Sequence, residues 1–167
     1  LTVHLRTDGK SVLKKEELVK LNLEKYDVAG VVVDGKTIFG TSFIEEKIKN
    51  VFFRIPIMSF FQVNYYIAEK LSDKVINIIS SKKRKTMFDL YCGVGFFSIL
   101  LSPYADTIIA VDSDAFAIDF AKINAKLNKI SNVKFYTEDA FSFFKETSSE
   151  NIDVVLLDPP RTGCEKE

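Results

Sequence analysis

In the second half of the chain, short, largely apolar runs are separated by segments of helical period. Residues 86–90, 107–111, 132–136 and 152–158 show the first pattern and predict strands. Residues 97–101, 114–127 and 140–145 show the second and predict helices, with Phe116, Phe120, Ile123 and Leu127 on one face of the longest. Strand-helix alternation with strands apolar on both sides predicts a parallel sheet covered on both faces. The first third reads differently. Residues 2–6 alternate, residues 14–23 form a short helix candidate, and β-branched residues flank Asp34-Gly35 as in a tight hairpin. Strand-like residues 42–47 and 51–55 follow and stop at Pro56, giving a small antiparallel-rich α+β region. Residues 62–80 then take a helical period, with Val63, Ile67, Leu71, Val75 and Ile78 on one face. The expected divisions are a connecting region over 1–58, a connecting helix and basic linker over 59–85, and a sheet domain over 86–167.

In parallel sheets the ligand sits outside the carboxyl ends of the strands, so the residues that end them carry the chemistry. They are the stretch from Asp89 to Gly95, then Asp112, Asp139 and Asp158, an acidic row beyond what packing requires. The stretch Asp89-Leu90-Tyr91-Cys92-Gly93-Val94-Gly95 joins a strand to a helix through two glycines two residues apart. Such a turn brings backbone close to a ligand where a Cβ would interfere. A dinucleotide turn wants a third glycine three residues later, where Ser98 stands. Two glycines opening on an acidic edge suit S-adenosylmethionine, whose ammonium and sulfonium favour carboxylates over a phosphate cradle. Asp112 lies about twenty residues after the turn, placed to accept from both ribose hydroxyls, with Ser113 or Asp114 free to cap the next helix. Asp139 can reach an adenine amino group or cap the helix from Ala140; both readings stay open. In Asp158-Pro159-Pro160-Arg161-Thr162-Gly163, two prolines remove two donors and hold a carboxylate and an arginine rigidly at the same edge.

Composition narrows the class. Of 167 residues, 47% are hydrophobic and 28% charged, as in ordinary globular domains. Basic and acidic residues balance at 23 each, so no global field selects nucleic acid, although a local basic face remains compatible. The run Lys82-Lys83-Arg84-Lys85 reads first as a solvated linker. His4, the single histidine, falls on the polar side of its strand. Cys92 and Cys164 show no metal-ligand spacing and fit a reducing, cytoplasmic setting. No run is long and apolar enough for a membrane span, no metal site is expected, and the absence of an initial Met suggests a piece of something longer.

Three motifs in order, Phe60-Phe61-Gln62-Val63-Asn64, then the glycine turn, then Asp158-Pro159-Pro160-Arg161-Thr162-Gly163, resemble those of the S-adenosylmethionine-dependent RNA 5-methyluridine methyltransferases. The resemblance runs from about Val51 to the end. It implies the first four parallel strands of a Rossmann-like class I methyltransferase sheet, partial in this chain, and an RNA substrate, transfer or ribosomal. By position it implies that Gln62, Tyr91, Asp112, Asp139 and Asp158 bind the methyl donor, that Gly93 and Gly95 shape its turn, that Phe60 lies near the target base, and that Arg161 lies near substrate or the catalytic loop. Two positions depart from the family pattern: Phe96 replaces a polar Asn or Thr, and Asp112 replaces Glu.

The chemistry implied needs a cysteine to add to C6 of uracil and a base to remove the C5 proton. In the family both follow the Asp-Pro-Pro-Arg stretch by a strand or more. No catalytic residue is therefore expected within this chain, and both are expected after Glu167. Neither Cys92, inside the turn, nor Cys164 has a neighbour that would activate it. The chain alone is expected to bind the donor weakly or not at all, to leave RNA unmethylated, and to self-associate through an exposed fourth strand. Two other readings fit part of the pattern. One is an amino-group methyltransferase of RNA or DNA bases, which would place an aromatic residue where Arg161 stands. The other is a non-catalytic cofactor-binding scaffold, with Phe96 as the mark of a decayed site.

Overall fold

The computed structural model describes residues 2–5, 16, 23–57, 59–61, 64–147, 151–160 and 163–164. The chain divides into two compact units, Leu1–Glu46 with Arg54–Met58, and Lys47–Phe53 with Ser59–Glu167.

In the first unit, β1 (Thr2–Leu5), β2 (Gly30–Val33) and β3 (Lys36–Gly40) form a sheet in that order. β2 and β3 are antiparallel, and β1 runs parallel to β2. Asp34 and Gly35 take φ of 46° and 79°, the type I′ geometry that matches strand twist. Val28, Val31 and Val33 bury against Val3, Leu23, Ile38 and Phe39 to make a small core. Of the helix expected over 14–23, all but Glu16 and Leu23 lies outside the described residues. β4 (Phe43–Ile48) and β5 (Val51–Pro56) form a two-stranded sheet closed by Lys49 and Asn50. Near its base Arg54 pairs with Glu45 at 2.8 Å and lies over the Phe43 ring.

The second unit holds the parallel sheet, ordered β8-β7-β6-β9: β6 (Arg84–Leu90), β7 (Ala105–Asp112), β8 (Val133–Thr137) and β9 (Val154–Leu157). Every pairing is parallel, as the strand-helix alternation predicts. Phe88, Leu90 and Val111 pack under α4 (Ala140–Thr147) with Ala140 and Phe143. On the opposite face Cys92, Ala110 and Ile118 pack with Val133 and Phe135. Ile118 belongs to α3 (Ala115–Leu127), which lies over β7 and β8, while α2 (Phe96–Leu101) packs on β7.

Two helix faces differ from expectation. α1 (Tyr65–Ile79), capped by the Asn64 side chain, buries Ala68, Ser72 and Ile79, whereas Ile67 and Ile78 are 56% and 67% exposed. α3 buries Ala117, Ala121 and Ala125 with Ile118, Phe120 and Asn124, and leaves Phe116, Ile123 and Leu127 partly exposed. The reason is shared. Small side chains let a helix approach its neighbour closely, so the contact centres on Ala and Ser while the larger apolar residues flank it. Among the described residues no helix is long and apolar enough to cross a membrane.

Candidate functional site

The carboxyl end of β6 runs into a turn with a positive φ at every second residue: Tyr91 at 64°, Gly93 at 53° and Gly95 at 81°. The two glycines face different surroundings. A Cβ on Gly95 would stand 3.2–3.3 Å from Ala121, Ile99 and Phe135, whereas one on Gly93 would meet nothing within 4 Å. Gly95 therefore lets α3 and β8 close on the turn, and Gly93 leaves open space at the edge. Tyr91 is half-buried against the cluster around Phe88 and Leu90. From behind, the buried Asn124 amide of α3 donates to the Val94 carbonyl at 3.1 Å.

The acidic row supports the same turn. Asp112, ending β7, accepts the Gly93 N–H on Oδ2 at 2.8 Å and the Asp114 N–H on Oδ1 at 2.9 Å. Asp114 caps α3 by accepting from Phe116. A carboxylate has about four acceptor positions, so Asp112 ties the turn to β7 and keeps about two for a ligand. Asp139 is exposed and its side chain accepts the Ser142 N–H at 2.8 Å, so it caps α4. That bond holds its carboxyl below the ordinary carboxylate range. Asp158 is exposed just beyond β9, and the Gly163 N–H donates to the Pro160 carbonyl at 2.8 Å.

Asp89 sits beneath the turn, only 3% exposed. Its Oδ2 accepts the Ser98 hydroxyl, and the Ser98 backbone N–H also donates to the carboxyl, so Asp89 caps α2 from the neighbouring strand. Gly95, the cap position proper, has no side chain to do so. The other oxygen, Oδ1, is buried without a hydrogen-bond partner. Burial, opposed by the Ser98 bonds and reinforced by the charges of Asp158 and Asp112, raises its pKa from 3.8 to about 7. In the sequence Asp89 stands within the motif without an evident role, and Ser98 stands where a dinucleotide turn has its third glycine. The available signal was a carboxylate and a hydroxyl one strand end and one helical turn apart.

Burial, with Asp89 and Asp112 adding to it, pushes the Cys92 thiol well above its ordinary value, so it does not present a thiolate. Phe96 is 7% exposed and packs with Phe53, Phe61 and Phe97 at centroid distances of 4.9–5.6 Å, counting its own contacts. The residue that departs from the polar pattern thus belongs to an aromatic core. Phe60 is 78% exposed. Gln62 and Arg161 lie outside the described residues. The described turn brings Tyr91, Gly93 and Asp112 together over Asp89, and Asp158 is near enough for its charge to act on that carboxyl. No group of three metal-ligating side chains forms among the described residues.

Comparison with known proteins places this arrangement. Residues 4–167 match the family model described as tRNA (uracil-5-)-methyltransferase. An RNA methyltransferase of Clostridium acetobutylicum is 41% identical over 127 residues, 76% of this chain and 28% of that protein. One from Clostridium tetani is 35% identical over 99% of this chain and 40% of its own length. The crystal structure of Pyrococcus abyssi tRNA (uracil-54, C5)-methyltransferase in complex with S-adenosyl-L-homocysteine superposes with a TM-score of 0.73 at 27% identity, over 97% of this chain and 41% of that one. The chain thus spans well under half the length of these relatives.

Proposed function

The chain belongs to the tRNA (uracil-5-)-methyltransferase family, and from that premise we propose that it is part of an enzyme moving a methyl group from S-adenosylmethionine to C5 of a uridine in transfer or ribosomal RNA. The observation that carries the proposal is the acidic edge around the glycine turn, in the fold shared with a structure holding S-adenosyl-L-homocysteine. The buried, unpartnered Oδ1 of Asp89 and the open space at Gly93 fit a ligand with a cationic end. Bound there, S-adenosylmethionine supplies an electrophilic methyl group.

In this reading Gly93 and Gly95 keep the turn clear, and Asp112 fixes the turn and accepts from the ribose with its remaining positions. Asp139 holds the start of α4 beside the adenine, Asp158 and Tyr91 border the donor, Gln62 completes its contacts, and Phe60 and Arg161 face the RNA. C5 of uracil becomes nucleophilic only after a thiolate adds to C6, and a base must then take the C5 proton so that the thiolate can leave. Cys92, buried with a raised pKa, is unsuited to this. We assign both catalytic roles to residues of the whole protein outside these 167. The family match favours this chemistry over amino-group methylation, and Phe96 has a packing role of its own beside Phe53, Phe61 and Phe97.

The test uses the whole protein and RNA carrying tritium at C5 of uridine. Methyl transfer with equal release of tritium is expected. Transfer with retention of tritium would place the methyl elsewhere, and no transfer despite binding of S-adenosylhomocysteine would return the scaffold reading.

A further inference from the structure

Residues 122–137 carry four lysines, Lys122, Lys126, Lys129 and Lys134, and no acidic residue, in a chain whose 23 basic and 23 acidic side chains balance. All four lysines are exposed. Lys122 and Lys126 stand four apart on α3, about 6 Å from one another along one face. With Lys129, beyond the helix, they rim a cleft of about 470 Å³ whose apolar lining includes Ile130, Val133 and Phe135. The ion pairs among the described residues join Lys49 to Asp73, Arg54 to Glu45 and Lys83 to Asp106, and leave these lysines out.

The other basic run behaves differently. Lys83 is paired with Asp106 at 2.6 Å, and Asp153, which accepts the Lys85 and Thr86 N–H groups, also feels the charges of Lys82 and Arg84. Asp106 and Asp153 thus offset part of the charge of the run at 82–85, whereas none of the four lysines at 122–134 has an ion-pair partner among the described residues. The cleft begins where α3 ends and β8 starts, at the opposite end of β8 from the acidic row, and its Phe135 backs onto Gly95 from below.

We propose that this cleft is a docking site for the RNA backbone, holding phosphates on Lys122, Lys126 and Lys129 while Ile130, Val133 and Phe135 give sugar and base faces an apolar floor. The proposal rests on the reading of the substrate as RNA. A charged rim over an apolar lining is the combination that single-stranded nucleic acid uses, and it carries no sequence preference of its own. The cleft grips RNA that flanks the target nucleotide and leaves the acidic edge to the methyl donor, so carboxylates and phosphates are kept apart on the same sheet.

The experiment measures binding of the whole protein to a uridine-containing RNA across a series of salt concentrations, for the natural sequence, for K122A/K126A/K129A and for K82A/K83A. Each single-strand phosphate contact contributes about 0.7 to the slope of log affinity against log salt, so the triple variant should lose about 2 from that slope and bind roughly tenfold more weakly at low salt. The double variant should match the natural protein. An unchanged slope in the triple variant, an equal loss in the double variant, or binding to anionic vesicles in place of RNA would each overturn the proposal. Calorimetry with S-adenosylhomocysteine on the same variants separates the two readings: retained heat with lost RNA slope supports the cleft, and absent heat in the natural protein counts against the methyl-donor reading alone.

Discussion

Gly93 and Gly95 look interchangeable in the sequence and are not so in the fold. Gly95→Ala adds a Cβ at φ 81° among three neighbours at 3.2–3.3 Å, and should cost about 1–3 kcal/mol, read as a fall in melting temperature. Gly93→Ala meets open space and should cost about 1 kcal/mol, yet it should abolish binding of S-adenosylhomocysteine by the whole protein if that space is the ligand's. Equal binding by the Gly93 variant would refute that assignment. Asp89 offers a test of another kind. Its folded pKa of about 7 exceeds the unfolded 3.8, so the folded chain holds a proton that the unfolded chain releases. The stability this gives is present in full below pH 3.8 and is lost as pH rises to about 7. Asp89→Asn keeps an acceptor for Ser98 and removes the titration. Its stability relative to the natural chain should improve by roughly 2–3 kcal/mol between pH 5 and pH 8, measured by denaturant melts, and a constant difference would contradict the burial argument.

At the scale of elements, Asn128 at the end of α3 accepts the Phe52 N–H at 2.9 Å and donates to the Phe52 carbonyl at 2.7 Å, clamping the hairpin tip to the helix. Asn128→Ala should cost about 1 kcal/mol and speed hydrogen exchange at the Phe52 amide, while amides of β7 keep their protection. Nothing in the sequence singled out Asn128 or Asn124, because an Asn whose partner is backbone 30 or 76 residues away leaves no local pattern. The strands were legible for the opposite reason. Central strands covered on both faces are largely apolar, and residues 86–90 and 107–111 fall on β6 and β7 within two residues at each end, while residues 132–136 fall on β8, where Val133 and Phe135 alternate with exposed Lys134 and Tyr136. Helix faces were less so: Ile67, Ile78, Phe116 and Leu127 outweigh alanine in hydrophobicity, but packing selected Ala68, Ala117, Ala121 and Ala125. The packing of Phe96 was not legible either, because its ring's partners, Phe53 and Phe61, come from earlier segments.

For the molecule as a whole, β9 lies at one edge of the sheet among the described residues, with Val155 and Leu157 37% and 54% exposed. An apolar strand edge pairs with another copy, so the 167-residue chain should self-associate as concentration rises, and V155K/L157K should return it to monomer in light scattering. A monomer at all concentrations would count against pairing through this edge. The buried carboxyl at Asp89 reaches beyond its own strand as well. Near pH 7 it is about half protonated, and a cationic ligand settling beside it favours the ionised form. Uptake of the ligand by the whole protein should therefore expel about half a proton into the medium. The heat recorded for binding would then differ between buffers of low and high ionisation enthalpy, so that the solvent keeps count of a single oxygen atom hidden under the turn.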